Sequence, residues 1–131
     1  MHKDCRVLVV EDRERDRERA RVTIEALGHA VDVAKDGSEA LGHLEREVPH
    51  VVLLDVMMPG MDGASFMEAL RERGLREKVR VVLHTAVTSP LVRKLLGADA
   101  CVYKPATTLE LVRAIRDACT CGPANGPPAT A

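Results

Sequence analysis

Three carboxylates, one hydroxyl and one ammonium stand where short apolar runs end. Glu11 and Asp12 follow Arg6–Val10, and Asp55 follows Val51–Leu54. Thr85 and Ala86 come after the run 79–83, and Lys104 with Pro105 after Ala100–Tyr103. Clustered carboxylates repel one another unless a cation joins them. Oxygen donors without histidine or thiolate suit a hard divalent ion, and Mg²⁺ takes few carboxylates together with water and phosphate oxygens. A carboxylate that attacks a phosphoryl group needs its charge screened, which such an ion does. An ammonium and a hydroxyl can bind the remaining phosphoryl oxygens, and positioning plus charge stabilisation is most of what phosphoryl transfer requires. Taken singly the residues say little: Asp12 could cap a helix, and Lys104 before Pro105 could be a turn lysine. The argument rests on their joint placement.

That placement needs elements to produce it. The apolar runs, with Ala30–Ala34 as a further one, alternate with helical patterns, and three are near-continuous Val and Leu, as in strands covered on both faces. Five βα units in series imply a parallel sheet with helices on both sides, and in open parallel sheets a site lies at the carboxyl ends of the strands. The first helix is expected over about 14–27. Its start, 14–19, is so charged that it reads as a solvated end laced with i,i+3 ion pairs, and its apolar stripe begins only at Ala20, Ile24 and Leu27. A second helix follows Asp36-Gly37-Ser38, with Ala40, Leu41 and Leu44 facing in, and Pro49 closes it. A third covers about 64–73 and stops at Gly74. The last covers about 108–119, with Leu111, Val112, Ile115 and Ala118 on one face.

Composition narrows the function. The 131 residues, 46% hydrophobic and 30% charged, suit one ordinary globular domain, expected over 1–120, with a Gly/Pro/Ala-rich, disordered tail over 121–131. A net charge of −1 leaves no basic field for DNA or RNA, and without Trp, with one Phe and one Tyr, stacking on bases is excluded. The absence of any long apolar run or signal-like start argues for a cytoplasmic chain with no membrane partner. Cys5 and Cys101 read as small buried thiols. Cys119 and Cys121 lack zinc-site C-x-x-C spacing, and a metal or redox role for them is the lesser reading. The five histidines read as surface or loop residues.

The segment Leu54-Asp55-Val-Met-Met-Pro59-Gly60-Met-Asp62-Gly63 resembles the phosphoacceptor loop of response-regulator receiver domains. Val9-Val10-Glu11-Asp12, His84-Thr85-Ala86 and Gly97 to Pro105 match the other receiver motifs in order, so that the resemblance spans residues 5 to 120. It implies a doubly wound (βα)5 fold of the flavodoxin-like, CheY-like kind: a three-layer α/β sandwich on a five-stranded parallel sheet. It implies that Asp55 is the phosphoacceptor. Glu11, Asp12, the Asp55 carboxylate and the Met57 backbone carbonyl would hold Mg²⁺. Thr85, Ala86 and Lys104 would bind the phosphoryl group, Tyr103 would be the aromatic that swings inward on switching, and the Lys104-Pro105 bond would be cis. The donor would be a histidine kinase or a histidine phosphotransfer protein, the output would go to a downstream protein target, and self-phosphorylation and dephosphorylation would be the only chemistry catalysed.

The sequence departs from the family in two places. Thr85 and Lys104 are 19 positions apart, about one helical turn fewer than is usual, so the fourth helix must be short, with a start near Pro90, and the dimer usual through this face should be altered or absent. The positions that flank the reacting phosphorus, two past the acceptor and two past the switch threonine, hold Met57 and Val87. Neither can orient water, which implies an acyl phosphate that hydrolyses slowly. Two alternatives are a pseudo-receiver that binds partners without phosphorylation and an aspartate-nucleophile phosphatase. The second would need an Asp where Met57 stands. A dinucleotide-binding reading fails because Glu11-Asp12-Arg13, not a glycine-rich loop, follows the first strand.

Overall fold

The computed structural model describes residues 5–120. The expected tail lies outside the described residues, as do His2 and Cys121. Five strands, β1 (Arg6–Val10), β2 (Ala30–Ala34), β3 (Val51–Leu54), β4 (Arg80–Thr85) and β5 (Ala100–Tyr103), form one parallel sheet in the order β2-β1-β3-β4-β5. The helices are α1 (Glu14–Glu25), α2 (Gly37–Arg46), α3 (Gly63–Glu72), α4 (Val92–Leu96) and α5 (Thr108–Thr120), with a 3₁₀ turn at Arg76–Lys78.

Side chains alternate across a strand, so each central strand feeds two cores. Leu8, Val10, Val52, Leu54, Val81 and Leu83 pack with Phe66, Met67 and Leu70 of α3, with Leu44 of α2 and with Val92 of α4. Val7, Val9, Val51, Leu53, Val82 and Val102 pack on the other face with Ala20 and Ile24 of α1 and Leu111 and Ile115 of α5. Phe66, the single phenylalanine, is fully buried in a core otherwise built of aliphatic side chains and methionine.

Local sequence sets the helix starts. Asp36 and Asp62 accept from the backbone N–H of Glu39 and Ser65 at 2.8 Å, the capping that short polar residues supply. Thr107 and Glu110 exchange reciprocal bonds before α5, its hydroxyl accepting from Glu110 N–H and its own N–H donating to the Glu110 carboxylate. The fourth helix has only five residues, starts two residues later than Pro90 and ends on Gly97, whose φ of 71° lies in the left-handed region glycine adopts without strain. The fourth strand begins one residue later than the apolar run and carries on through His84 and Thr85, so Thr85 is its last residue and pairs with Tyr103.

Two expectations are corrected. Cys5 is not a free buried thiol but is disulfide-bonded to Cys119, whereas Cys101 is free and half-buried. Both bonded sulfurs sit on the α5 side of the sheet: Cys5 shares the parity of Val7 and Val9, and Cys119 continues the stripe of Leu111 and Ile115. The histidines are not all surface residues, because His84 lies on a strand covered on both faces and is buried.

The disulfide spans 114 residues of sequence. Loops of that order restrict the unfolded chain enough to stabilise the fold by about 4–5 kcal/mol in the chain-entropy account. Reduction, or Cys5→Ser with Cys119→Ser, should lower the urea midpoint accordingly; unchanged midpoints for oxidised and reduced protein would remove the disulfide from the fold's energetics.

Candidate functional site

The strand order reverses direction at β1 and β3, and the polar residues gather at the carboxyl ends of those strands and of β4 and β5. Carboxylate oxygens of Glu11, Asp12 and Asp55 lie within 4.8 Å of one another, with Glu11 and Asp55 buried. Lys104 Nζ donates to Glu11 Oε1 at 2.5 Å, to Asp55 Oδ2 at 3.2 Å and to Asp16 Oδ2 at 3.2 Å. The backbone N–H of Met57 donates to Asp55 Oδ1 at 3.2 Å, and that of Arg13 to Glu11 Oε2 at 3.1 Å. One ammonium thus serves three carboxylates. A buried Asp12 oxygen, Oδ1, has no hydrogen-bond partner among the described residues. Buried carboxylate oxygens left in this way are costly unless something cationic meets them, so these residues fit a hard divalent ion.

Electrostatics follow from that crowding. Burial pushes the Glu11 carboxyl up to about 7, against the pull of Lys104 and the Arg13 N–H, and the Asp55 charge adds to the rise. Burial disfavours the Lys104 ammonium, but its hydrogen bond to Glu11 and the charges of Asp55 and Glu11 more than offset this, and its pKa lies above the ordinary lysine value.

The remaining residues frame a cavity of about 350 Å³ lined by Asp55, Met57, His84, Ala86, Lys104 and Pro105, with Asp16 and Arg19 on its α1 side. Thr85 is fully buried, and its hydroxyl accepts from Val87 N–H at 3.1 Å. Val87 packs half-buried against the α2–α3–α4 core, whereas Met57 is 65% exposed at the cavity. Tyr103 lies outward and its hydroxyl donates to Ser89 O at 3.5 Å. The Lys104–Pro105 bond is cis. Gly63 lets α3 close on the loop that carries Asp55: a Cβ there would come within 2.9 Å of Val56 Cα, and Gly63 N–H donates to Val56 O.

Sequence reasoning missed part of this. Of the i,i+3 ion pairs expected at the charged start of α1, Glu18–Arg21 forms, and Arg21 also pairs with Glu25 one turn further on. Yet Asp16 reaches Lys104, Arg17 donates to the carbonyls of Glu11 and Asp12, and Arg19 donates to Ala106 O. Asp12 is not a helix cap: the position before α1 is Arg13, without a side-chain bond.

Comparison with known proteins identifies the family. The family model of the response regulator receiver domain matches residues 7–116. The chain belongs to that family. It is 36% identical over 110 residues to the sensory transduction protein RegX3 of Mycolicibacterium smegmatis, a match covering 84% of this chain and 48% of that protein. The chain therefore spans about half the length of this curated relative. Chemotaxis protein CheY4 of Vibrio cholerae superposes with a TM-score of 0.80 at 29% identity, covering 86% of this receiver and 97% of that chain. The receiver domain of a signal transduction histidine kinase from Syntrophus aciditrophicus superposes with a TM-score of 0.78 at 30% identity, covering 87% and 89%. The receiver fold of two-component signalling is thereby shown, and no helix among the described residues is long and apolar enough to cross a membrane.

His84 reports on the site's polarity. Burial depresses its pKa to about 4; the Lys104 and Arg19 charges lower it further, while Asp16 and Asp55 act against them. The folded value lies below the ordinary 6.5, so protonation favours the unfolded chain: its contribution to stability is present above pH 6.5 and lost as pH falls toward 4. Between pH of about 7 and about 4.5 this should cost roughly 2–3 kcal/mol. His84→Gln should flatten that part of the urea-stability profile, and equal losses in both proteins would show that the imidazole is free to ionise.

Proposed function

We propose that this receiver takes a phosphoryl group onto Asp55 from the phosphohistidine of a histidine kinase or histidine phosphotransfer protein, and passes the signal by contact with a downstream protein in the cytoplasm. The observation that carries this reading is the single Lys104 ammonium bonded to Asp55 beside the unpartnered oxygen of Asp12. In the transfer an Asp55 oxygen attacks phosphorus, an O–P bond forms, and the N–P bond of the donor imidazole breaks with the electron pair returning to nitrogen. Glu11, Asp12, Asp55 and the Met57 carbonyl would hold Mg²⁺, which when bound screens the carboxylate charge from the incoming phosphoryl oxygens. Lys104, already at Asp55, is placed to follow the new negative charge. The Thr85 hydroxyl has a proton to donate to a phosphoryl oxygen, and the neighbouring Ala86 lines the cavity with only a methyl group. Lys104→Asp55 contact would then be exchanged for contact with the phosphoryl group, Thr85 would shift, and Tyr103 would be free to turn inward. Residues 1–120 would make up this unit.

Intact mass after incubation with acetyl phosphate and Mg²⁺ tests the assignment. One phosphoryl group should add to the protein and be lost in Asp55→Asn and with EDTA. Absence of any adduct, together with undetectable Mg²⁺ binding, would instead identify a pseudo-receiver.

The aspartyl phosphate should also be long-lived. Val87 points into the core side and Met57 is apolar, so neither offers an acceptor to a water attacking phosphorus. Val87→Glu or Met57→Asn should shorten the half-life severalfold in a phosphate-release assay. A half-life that barely moves would mean that water access, not orientation, governs hydrolysis.

A further inference from the structure

The opposite edge of the sheet holds donors of a different chemistry. Cys5 precedes β1, His29 precedes β2, and Cys119 lies in the last turn of α5. These three elements meet at the amino ends of the strands, away from the acidic cluster. The two sulfurs and a ring nitrogen of His29 lie within 4.8 Å of one another, both cysteines are buried, and His29 is half-buried. The cysteine Cα atoms are 5.9 Å apart.

Two thiolates and an imidazole are a soft-to-borderline donor set, the kind that takes Zn²⁺ tetrahedrally and that Mg²⁺ avoids. At Zn–S bonds of about 2.3 Å two tetrahedral thiolates stand roughly 3.8 Å apart, a separation within reach of cysteines whose Cα atoms are 5.9 Å apart. Side-chain rotation about the cysteines supplies that separation without moving β1 or α5. Both cysteines belong to the apolar core of the α1–α5 side, with Val7, Ile24 and Ile115 among its members, and such low-dielectric surroundings strengthen charge pairing between thiolates and a cation.

We propose that Cys5, His29 and Cys119 form a redox-gated site for a Zn²⁺-class cation. Closed as a disulfide it binds no metal. A dithiol reductant gives it two electrons and two protons and is itself oxidised to a cyclic disulfide; the cation then displaces two thiol protons and takes the His29 nitrogen as third ligand, with water in the fourth position. In either form β1 stays fastened to α5. In the reduced, metal-free form it does not.

The test uses the full chain. Wild-type protein is reduced with a phosphine, which takes oxygen from water and does not compete for the metal as a dithiol would. The protein is then titrated with Co²⁺ and Zn²⁺ in excess Mg²⁺, beside the oxidised protein. One equivalent of Co²⁺ should give thiolate-to-metal charge-transfer absorption in the reduced protein only, displaced by Zn²⁺, and Zn²⁺ should raise the melting temperature of the reduced protein while leaving the oxidised protein unchanged. His29→Ala should weaken Zn²⁺ binding by at least about tenfold, the scale of losing one ligand's hold. Cys121→Ser, changing a residue outside the described ones, should leave it intact. No charge-transfer band in folded, reduced wild type, or a band that persists in His29→Ala but vanishes in Cys121→Ser, would overturn the assignment. The comparison of oxidised with reduced wild type decides the matter even where a cysteine variant fails to fold.

Discussion

Everything at the carboxyl edge depends on one ammonium that must satisfy more carboxylates than it can neutralise. Lys104 meets Glu11, Asp16 and Asp55, and Asp12 stands beside them with a buried oxygen unmet. Removing one partner from a buried charge cluster is far costlier than the net value of the cluster, because the others are left uncompensated. The cluster is therefore a poor device for stability and a good one for binding: it retains affinity for protons, as the raised Glu11 value shows, and for any cation or anion that redistributes the charge. A rearrangement of Lys104 follows from altered charge at Asp55 without any further mechanism.

The doubly wound sheet makes such a cluster possible. Its central strands are buried on both faces, which leaves polar groups tolerable chiefly at strand ends. Parallel order then brings the ends of β1, β3, β4 and β5 to one edge, although the residues are up to 93 positions apart. His84 is the exception inside a strand, on the α1–α5 face next to Val82, and its depressed pKa is the consequence of occupying an apolar position. Gly63 is the matching concession in the backbone, since α3 can approach the Asp55 loop only without a side chain.

Most of this was legible from local pattern. Four strands have the bounds that the apolar runs imply, and the polar residues just beyond three of them, Glu11 and Asp12, Asp55 and Lys104, are the ones that meet. What was misread came from treating the start of α1 as solvated because it is charged. The buried stripe Ala20 and Ile24, carried back one turn at i−4, lands on Asp16, and at i−3 on Arg17, the side chains that turn toward the site. The signal was periodicity, and charge density masked it. The disulfide was hidden differently. Parity puts Cys5 on the face of Val7 and Val9, and helical spacing puts Cys119 with Leu111 and Ile115, so each faces the same layer; that they meet depends on where the far end of α5 lies beside α1 and the start of β1, a tertiary fact that neither pattern contains.

That helix joins the two ends of the molecule. It starts four residues after Lys104 and finishes at the Cys5–Cys119 bond, a span of roughly 20 Å at 1.5 Å per residue. A helix fastened at its far end to the start of β1 cannot slide along its axis when its near end is disturbed; it can only tilt about the fastening. The five-residue α4, by contrast, is held by Val92 in the core and by Arg71 on the Leu96 carbonyl, with Leu91 and Leu95 exposed. Any displacement at Thr85 and Lys104 would thus meet a short, lightly buried helix on one side and a long, tethered one on the other. With resistance so unequal, a displacement arriving from Thr85 or Lys104 would be taken up first by the segment between Thr85 and Gly97.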